Sequence, residues 1–187
     1  MPFVQNGEIK IYYESSGSGR ALVFLHGFTL DRRMWDRQVE YFSENYQAVV
    51  FDARGHGKSE APLTGYSRDH RETDLLAVVD ELGLDKFHLI GLSMGGATAV
   101  GFVIDYPGRL ESLVLVSAGV TAYNPSGAQN ELTKLAKEKG IEAARDKWLA
   151  RIMPYHRRKP GPTADLIEKM VRDHSGGPWG DPNRGKY

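Results

Sequence analysis

Four short apolar runs set the frame of the chain: Ala21–Leu25, Ala48–Phe51, Phe87–Ile90 and Leu113–Val116. Strands that read as near-continuous apolar runs are those covered on both faces, as in a parallel sheet. Ahead of them, Phe3-Val4, then Asn6-Gly7, then Glu8 to Tyr13 predict a hairpin. Asn-Gly is the strongest two-residue hairpin turn. Ile9, Ile11 and Tyr13 alternate with polar neighbours, which puts one face of the hairpin inside.

Helical patterns lie between the apolar runs. Asp31 to Tyr46 is expected to be a helix, with Met34, Trp35, Val39 and Phe42 sharing a face. Ser67 is expected to cap a helix reaching Leu82, with Leu75, Val78, Val79 and Leu82 as its stripe and Asp69 and Glu72 near its positive end. Gly83 stops that helix. A third helix follows residue 93 and runs to Tyr106, before Pro107-Gly108. The alternation predicts an α/β fold with a doubly wound, mostly parallel sheet and an antiparallel N-terminal hairpin.

After Val120 the character changes. Residues 129–139, 141–153 and 163–175 read as charged helices, joined by the breaker-rich stretch Pro154 to Pro162. Ser175 to Pro182 reads as irregular, and no further apolar strand occurs. The expected division is a core over 1–120 and a helical region over 121–187.

Chemistry concentrates where strands end. The third apolar run leads into Gly91-Leu92-Ser93-Met94-Gly95-Gly96, and a small-residue helix follows. Strand, tight turn and helix around G-x-S-x-G form a nucleophile elbow, which pushes the serine hydroxyl out at the strand end. A Cβ at Gly91 or Gly95 would crowd the backbone where it doubles back. The first run ends in His26-Gly27-Phe28, and the second in Asp52-Ala53-Arg54-Gly55-His56-Gly57-Lys58-Ser59.

These three motifs, in this order and at strand ends, resemble the α/β-hydrolase family, and Trp35 after the first adds to the likeness. Among its members the pattern is most similar to small-substrate esterases, lactonases of the 3-oxoadipate enol-lactonase type and carbon–carbon bond hydrolases. The resemblance implies Ser93 as nucleophile, the backbone N–H groups of Phe28 and Met94 as oxyanion hole, and His26 with Gly27 as the shapers of its loop. One such donor is typically worth about 3 kcal/mol of transition-state stabilisation. The resemblance also implies strands 1–6 of the fold and the start of a helical cap, with the last two strands missing. In the family the acid follows the nucleophile, usually after the seventh strand and sometimes after the sixth, and the histidine follows the eighth. Neither is found here, so the chain is expected to stop inside or just after its cap, roughly 80 residues short by usual βα unit sizes.

The six histidines read as bystanders. His26 orients its loop, His56 belongs to a glycine-rich turn, and His88 is a core residue of its strand. His70 sits at a solvated helix start, and His156 and His174 lie on the surface of the helical region. Gly57-Lys58-Ser59 mimics a phosphate loop, but no helix follows it to supply a binding dipole, so it reads as a solvated turn. Arg54 is expected to pair with a carboxylate. Leu132, Leu135 and Trp148 read as the apolar faces of the late helices, or as the lining of a pocket.

Composition narrows the classes. The 187 residues carry 24 basic and 24 acidic side chains, so no field for nucleic acid or membrane is expected. There is no cysteine, which rules out disulfides, thiolate metal sites and a cysteine nucleophile. No cofactor and no metal are expected, the N-terminus lacks a signal-peptide pattern, and a cytoplasmic setting is the default. Two functional readings follow: a serine hydrolase of small esters or lactones, or a non-catalytic relative that binds a small molecule or a partner chain. Leu113–Val116, buried in type yet last in the sheet, is expected to drive self-association or to be covered by the helices after residue 129.

Overall fold

The computed structural model describes residues 2–118, 127–156 and 160–181. Among these residues six strands form one sheet: β1 (Phe3–Asn6), β2 (Ile9–Ser16), β3 (Ala21–Leu25), β4 (Gln47–Phe51), β5 (Phe87–Leu92) and β6 (Leu110–Val116). Their spatial order is β1-β2-β4-β3-β5-β6. The hairpin turns at Asn6-Gly7, with Asn6 opposite Ile9 and Gly7 at φ 59°. β2 joins β4 antiparallel, and β4, β3, β5 and β6 run parallel.

Both faces of the centre are covered. Leu22, Phe24, Ala48 and Val50 point to one side, where Trp35, Val39 and Phe42 pack on them. Val23, Leu25, Val49 and Phe51 point to the other, against α2 (Arg68–Glu81) and α3 (Met94–Asp105). The fold is the expected doubly wound sheet.

The first helix is shorter than its apolar stripe suggests. A 3-10 turn over Arg32–Trp35 precedes α1 (Asp36–Phe42). Two carboxylates tighten that turn: Asp31 accepts the Arg33 N–H at 3.0 Å and Asp52 accepts the Arg32 N–H at 2.8 Å. In α2, Ser67 stands at the cap position, but its hydroxyl meets His70 Nδ1 at 2.6 Å and caps no helix N–H.

Glu72 is buried between α2 and α3 and lies 2.7 Å from Arg68. A Cβ at Gly101 would collide with its carboxylate, so the glycine is what lets α3 approach. Burial pushes the Glu72 carboxyl up to about 7; Asp105 adds to the rise and Arg68 opposes it. Between the ordinary carboxylate range and about 7 the folded chain holds a proton that the unfolded chain releases. Stability therefore falls as pH rises through that window, by about 2–3 kcal/mol, and is level above it. Glu72→Gln is expected to flatten this profile, as read by urea unfolding at pH 5 and pH 8.

Among the described residues four helices follow: α4 (Gly127–Lys139), α5 (Ile141–His156), α6 (Pro162–Asp173) and the short α7 (Gly177–Gly180). Pro154 falls within the last turn of α5, so the helix passes the expected break. The segment read as irregular contains α7, whose Trp179 is fully buried with Leu132 and Ala144. Among the described residues these helices pack on one another and on strand-end loops. They leave Val114 and Val116 on the edge strand β6 48% and 37% exposed. The same open face explains His88, which is half-buried rather than a core residue, with Ser112 Oγ at 2.8 Å and the Glu111 carboxylate at 3.1 Å.

Candidate active site

Topology decides where a site can form. From β3 the chain passes through α1 to β4 on one side, then crosses back through α2 to β5 on the other. The loops leaving β3 and β5 therefore diverge, and α/β sheets bind ligands in the crevice at such a switch point. Those two loops carry His26 to Thr29 and Ser93.

Ser93 stands between β5 and α3 with φ 50° and ψ −107°, a conformation that costs a residue with a Cβ. Packing enforces it. An added Cβ at Gly91 would come within 2.7 Å of the Gly95 and Gly96 backbone, and one at Gly95 within 2.5 Å of the Leu25 carbonyl oxygen. The Ser93 N–H donates to Val116 O at 3.0 Å, tying the turn to β6. The serine is exposed. Met94 opens α3, where backbone N–H groups lack helical acceptors; it borders a small second void beside Leu25, His26 and Thr98.

The β3 loop is held from behind. His26 is buried, and its Nε2 accepts the Ala53 N–H at 2.9 Å. Nδ1 then carries the proton and donates to Gly27 O at 2.8 Å. Burial lowers the pKa of His26, which keeps the ring neutral. Thr29 is 1% exposed and has φ 63°. Its N–H donates to His56 Nε2 at 3.3 Å, and its hydroxyl donates to Phe28 O at 2.6 Å.

The β4 loop braces the site and is no phosphate cradle. Asp52 accepts the N–H groups of Arg32 and Lys58. Ser59, expected in a solvated turn, is buried; it accepts the Tyr12 N–H at 2.8 Å and donates to Asp52 O at 2.5 Å. Arg54 makes the expected ion pair, with Asp74 at 2.6 and 2.7 Å.

Above the strand ends lies a cavity of about 680 Å³ onto which Ser93, Phe28 and Thr29 all open. That size suits a small organic ligand. Its far walls are apolar side chains of α5 and α6, among them Trp148, Ile152, Leu166 and Met170. Trp148 thus does line a pocket, whereas Leu132 is buried with Ala144 and Trp179. The structure brings Ser93 and Phe28 to one cavity and puts Met94 next to the serine. His26 stays behind the loop. No histidine lines the cavity among the described residues. No group of His, Asp and Glu among them is arranged to hold a metal.

Two participants escaped the sequence reading. His174, expected at the surface, is 2% exposed and packs at ring distances of 4.6 Å from His56 and 5.5 Å from Phe28. Thr29 carries strain and three hydrogen bonds next to Phe28. A tryptophan in the Gly-Gly-Pro-Trp-Gly stretch was the available sign that this tail has a buried seat. His156 lies outside the residues whose side chains are described.

A family profile for the alpha/beta hydrolase fold matches residues 20–175. The chain belongs to the α/β-hydrolase family. It is 28% identical over 160 residues to 3-oxoadipate enol-lactonase 2 of Acinetobacter baylyi, covering 82% of this chain and 56% of that protein. It is 38% identical over 123 residues to a 2-hydroxy-6-oxononadienedioate/2-hydroxy-6-oxononatrienedioate hydrolase of Burkholderia vietnamiensis, covering 62% and 43%. The crystal structure of the enol-lactonase from Burkholderia xenovorans LB400 superposes with a TM-score of 0.83 at 26% identity, over 96% of this chain and 70% of that one. The chain spans about half the length of the curated relatives it matches. Among the described residues no helix is long and apolar enough to cross a membrane.

Proposed function

We propose that this α/β-hydrolase chain carries the nucleophile and oxyanion hole of a serine hydrolase acting on small carboxylic esters or lactones. Ser93 Oγ attacks the carbonyl carbon, and its proton passes to a base from outside the described residues. The carbonyl oxygen becomes an oxyanion and accepts the N–H groups of Phe28 and Met94. Collapse breaks the ester C–O bond, the leaving alkoxide takes the proton, and water then hydrolyses the acyl-serine. His26 shapes the oxyanion loop. Residues 1–120 act as the core and the helices after 127 as the beginning of a cap.

One observation carries the reading: Ser93 is held in a strained turn at the switch point and faces the same cavity as Phe28. Similarity to two enol-lactonases supports the substrate class. A chain without cysteine fits a reducing, cytoplasmic setting. The exposed Val114 and Val116 support pairing through β6, which sedimentation at rising concentration checks.

A second reading, binding without turnover, is favoured by a cavity that no histidine lines among the described residues. Hydrolysis of p-nitrophenyl acetate separates the two. Turnover that disappears in Ser93→Ala supports the hydrolase. Quenching of tryptophan fluorescence by the ester with no p-nitrophenolate released supports the binding protein.

A further inference from the structure

We infer that Trp148 of α5 is a positioning residue for the oxyanion loop: through the Thr29 hydroxyl it holds the Phe28–Thr29 peptide in place. This rests on the proposed role of Phe28 as an oxyanion donor.

The chemistry of the groups fixes the direction of the relay. An indole N–H can only donate, and a hydroxyl has one proton and two lone pairs. Trp148 Nε1 lies 2.7 Å from Thr29 Oγ1, so the indole donates and the hydroxyl accepts. The hydroxyl proton is then directed to Phe28 O, 2.6 Å away. The other end of the same peptide is held too, because the Thr29 N–H donates to His56 Nε2 at 3.3 Å.

The clamp has strain to oppose. Thr29 is β-branched, and a β-branched residue at φ 63° is an outlier that persists only when its surroundings over-determine it. Relaxation there would turn the Phe28–Thr29 peptide and shift Phe28 with it. Trp148 also packs edge-on against the Phe28 ring, with centroids 6.1 Å apart, and lines the cavity. A helix 119 residues away in sequence from Thr29 therefore sets the β3 loop. A ligand in the cavity touches the ring that does so.

Three variants separate positioning from simple packing. Trp148→Phe keeps a ring and loses the donor, Thr29→Val keeps the branch and loses the hydroxyl, and Thr29→Ser keeps the hydroxyl. The rate constant for capture of Ser93 by a fluorophosphonate is expected to fall about tenfold in Trp148→Phe and in Thr29→Val, the scale of one lost hydrogen bond. Thr29→Ser is expected to stay within roughly threefold of wild type, and the Trp148→Phe/Thr29→Val pair to be no slower than the slower single variant. A packing role predicts additive losses and no rescue by serine.

A second measurement does not depend on activity. Hydrogen exchange at the Thr29 amide, followed by NMR, is expected to quicken about tenfold in Trp148→Phe while the amides of β4 keep their protection. If Thr29→Val does not fold, the other two variants decide the matter. If the wild-type chain is not captured at Ser93, the hydrolase reading fails and the exchange measurement alone decides the relay. A Trp148→Phe chain with wild-type protection at Thr29 overturns it.

Discussion

Replacing Ser93 by glycine is expected to stabilise the chain by about 1 kcal/mol while abolishing its capture by a fluorophosphonate. The φ 50°, ψ −107° pair at Ser93 is the conformation that glycine occupies at the first central position of a type II′ turn. Strain of this kind costs about 1–3 kcal/mol, and the extra backbone entropy of glycine offsets about 0.5–1 kcal/mol of the relief. Ser93→Ala retains the Cβ and the strain, so its stability is expected to match wild type within about 0.5 kcal/mol. Both variants lose the oxygen proposed to attack, and in serine hydrolases loss of the nucleophile is on the order of a millionfold in rate. Urea unfolding and capture kinetics on the three proteins check the pattern. A glycine variant that is less stable than wild type would show that the turn is not strained.

Asp74→Ala is expected to cost about 3–5 kcal/mol, seen as a lower urea midpoint at unchanged slope. Asp74 is fully buried on α2 and accepts two hydrogen bonds from Arg54 and one from Asn6 at 2.7 Å. Arg54 is buried as well and otherwise donates to Gly65 O. Removing the carboxylate leaves a guanidinium inside the protein without its counter-charge, which costs more than the pair gains over two apolar residues. Asp74→Asn, which keeps an acceptor oxygen, is expected to lose less. The damage reaches the site as well: Arg54 O receives the His56 Nδ1–H at 2.9 Å, and His56 holds Thr29. Capture of Ser93 is therefore expected to slow in Asp74→Ala even where the chain remains folded.

What the sequence showed, and what it did not, follows from how local each cause is. The runs at Ala21–Leu25 and Ala48–Phe51 are apolar because both faces are covered, and that signature lies in consecutive residues. The elbow is equally local, since Gly91 and Gly95 answer to backbone within a turn or on the adjoining strand. His174 and Trp179 could not be read in this way. Their burial depends on residues distant in sequence: His174 packs on His56 and Trp179 on Leu132 and Ala144, while Ser175 donates to Gly55 O and Asp181 accepts the N–H groups of Gly65 and Tyr66. No periodicity within Ser175 to Asp181 encodes those partners. β6 was legible only as to type, because its apolar residues state what a strand tolerates and not what lies beside it. The strain at Thr29 left no mark in composition, since threonine is an ordinary loop residue.

The central claim is that Ser93 is a nucleophile. Its most direct test is incubation of the 187-residue chain with a fluorophosphonate, followed by intact-mass measurement and peptide mapping. A single adduct that forms slowly and maps to the peptide containing Ser93 is expected. A chain that stays unmodified, or that carries its adduct on another residue while Ser93 remains free, contradicts the claim.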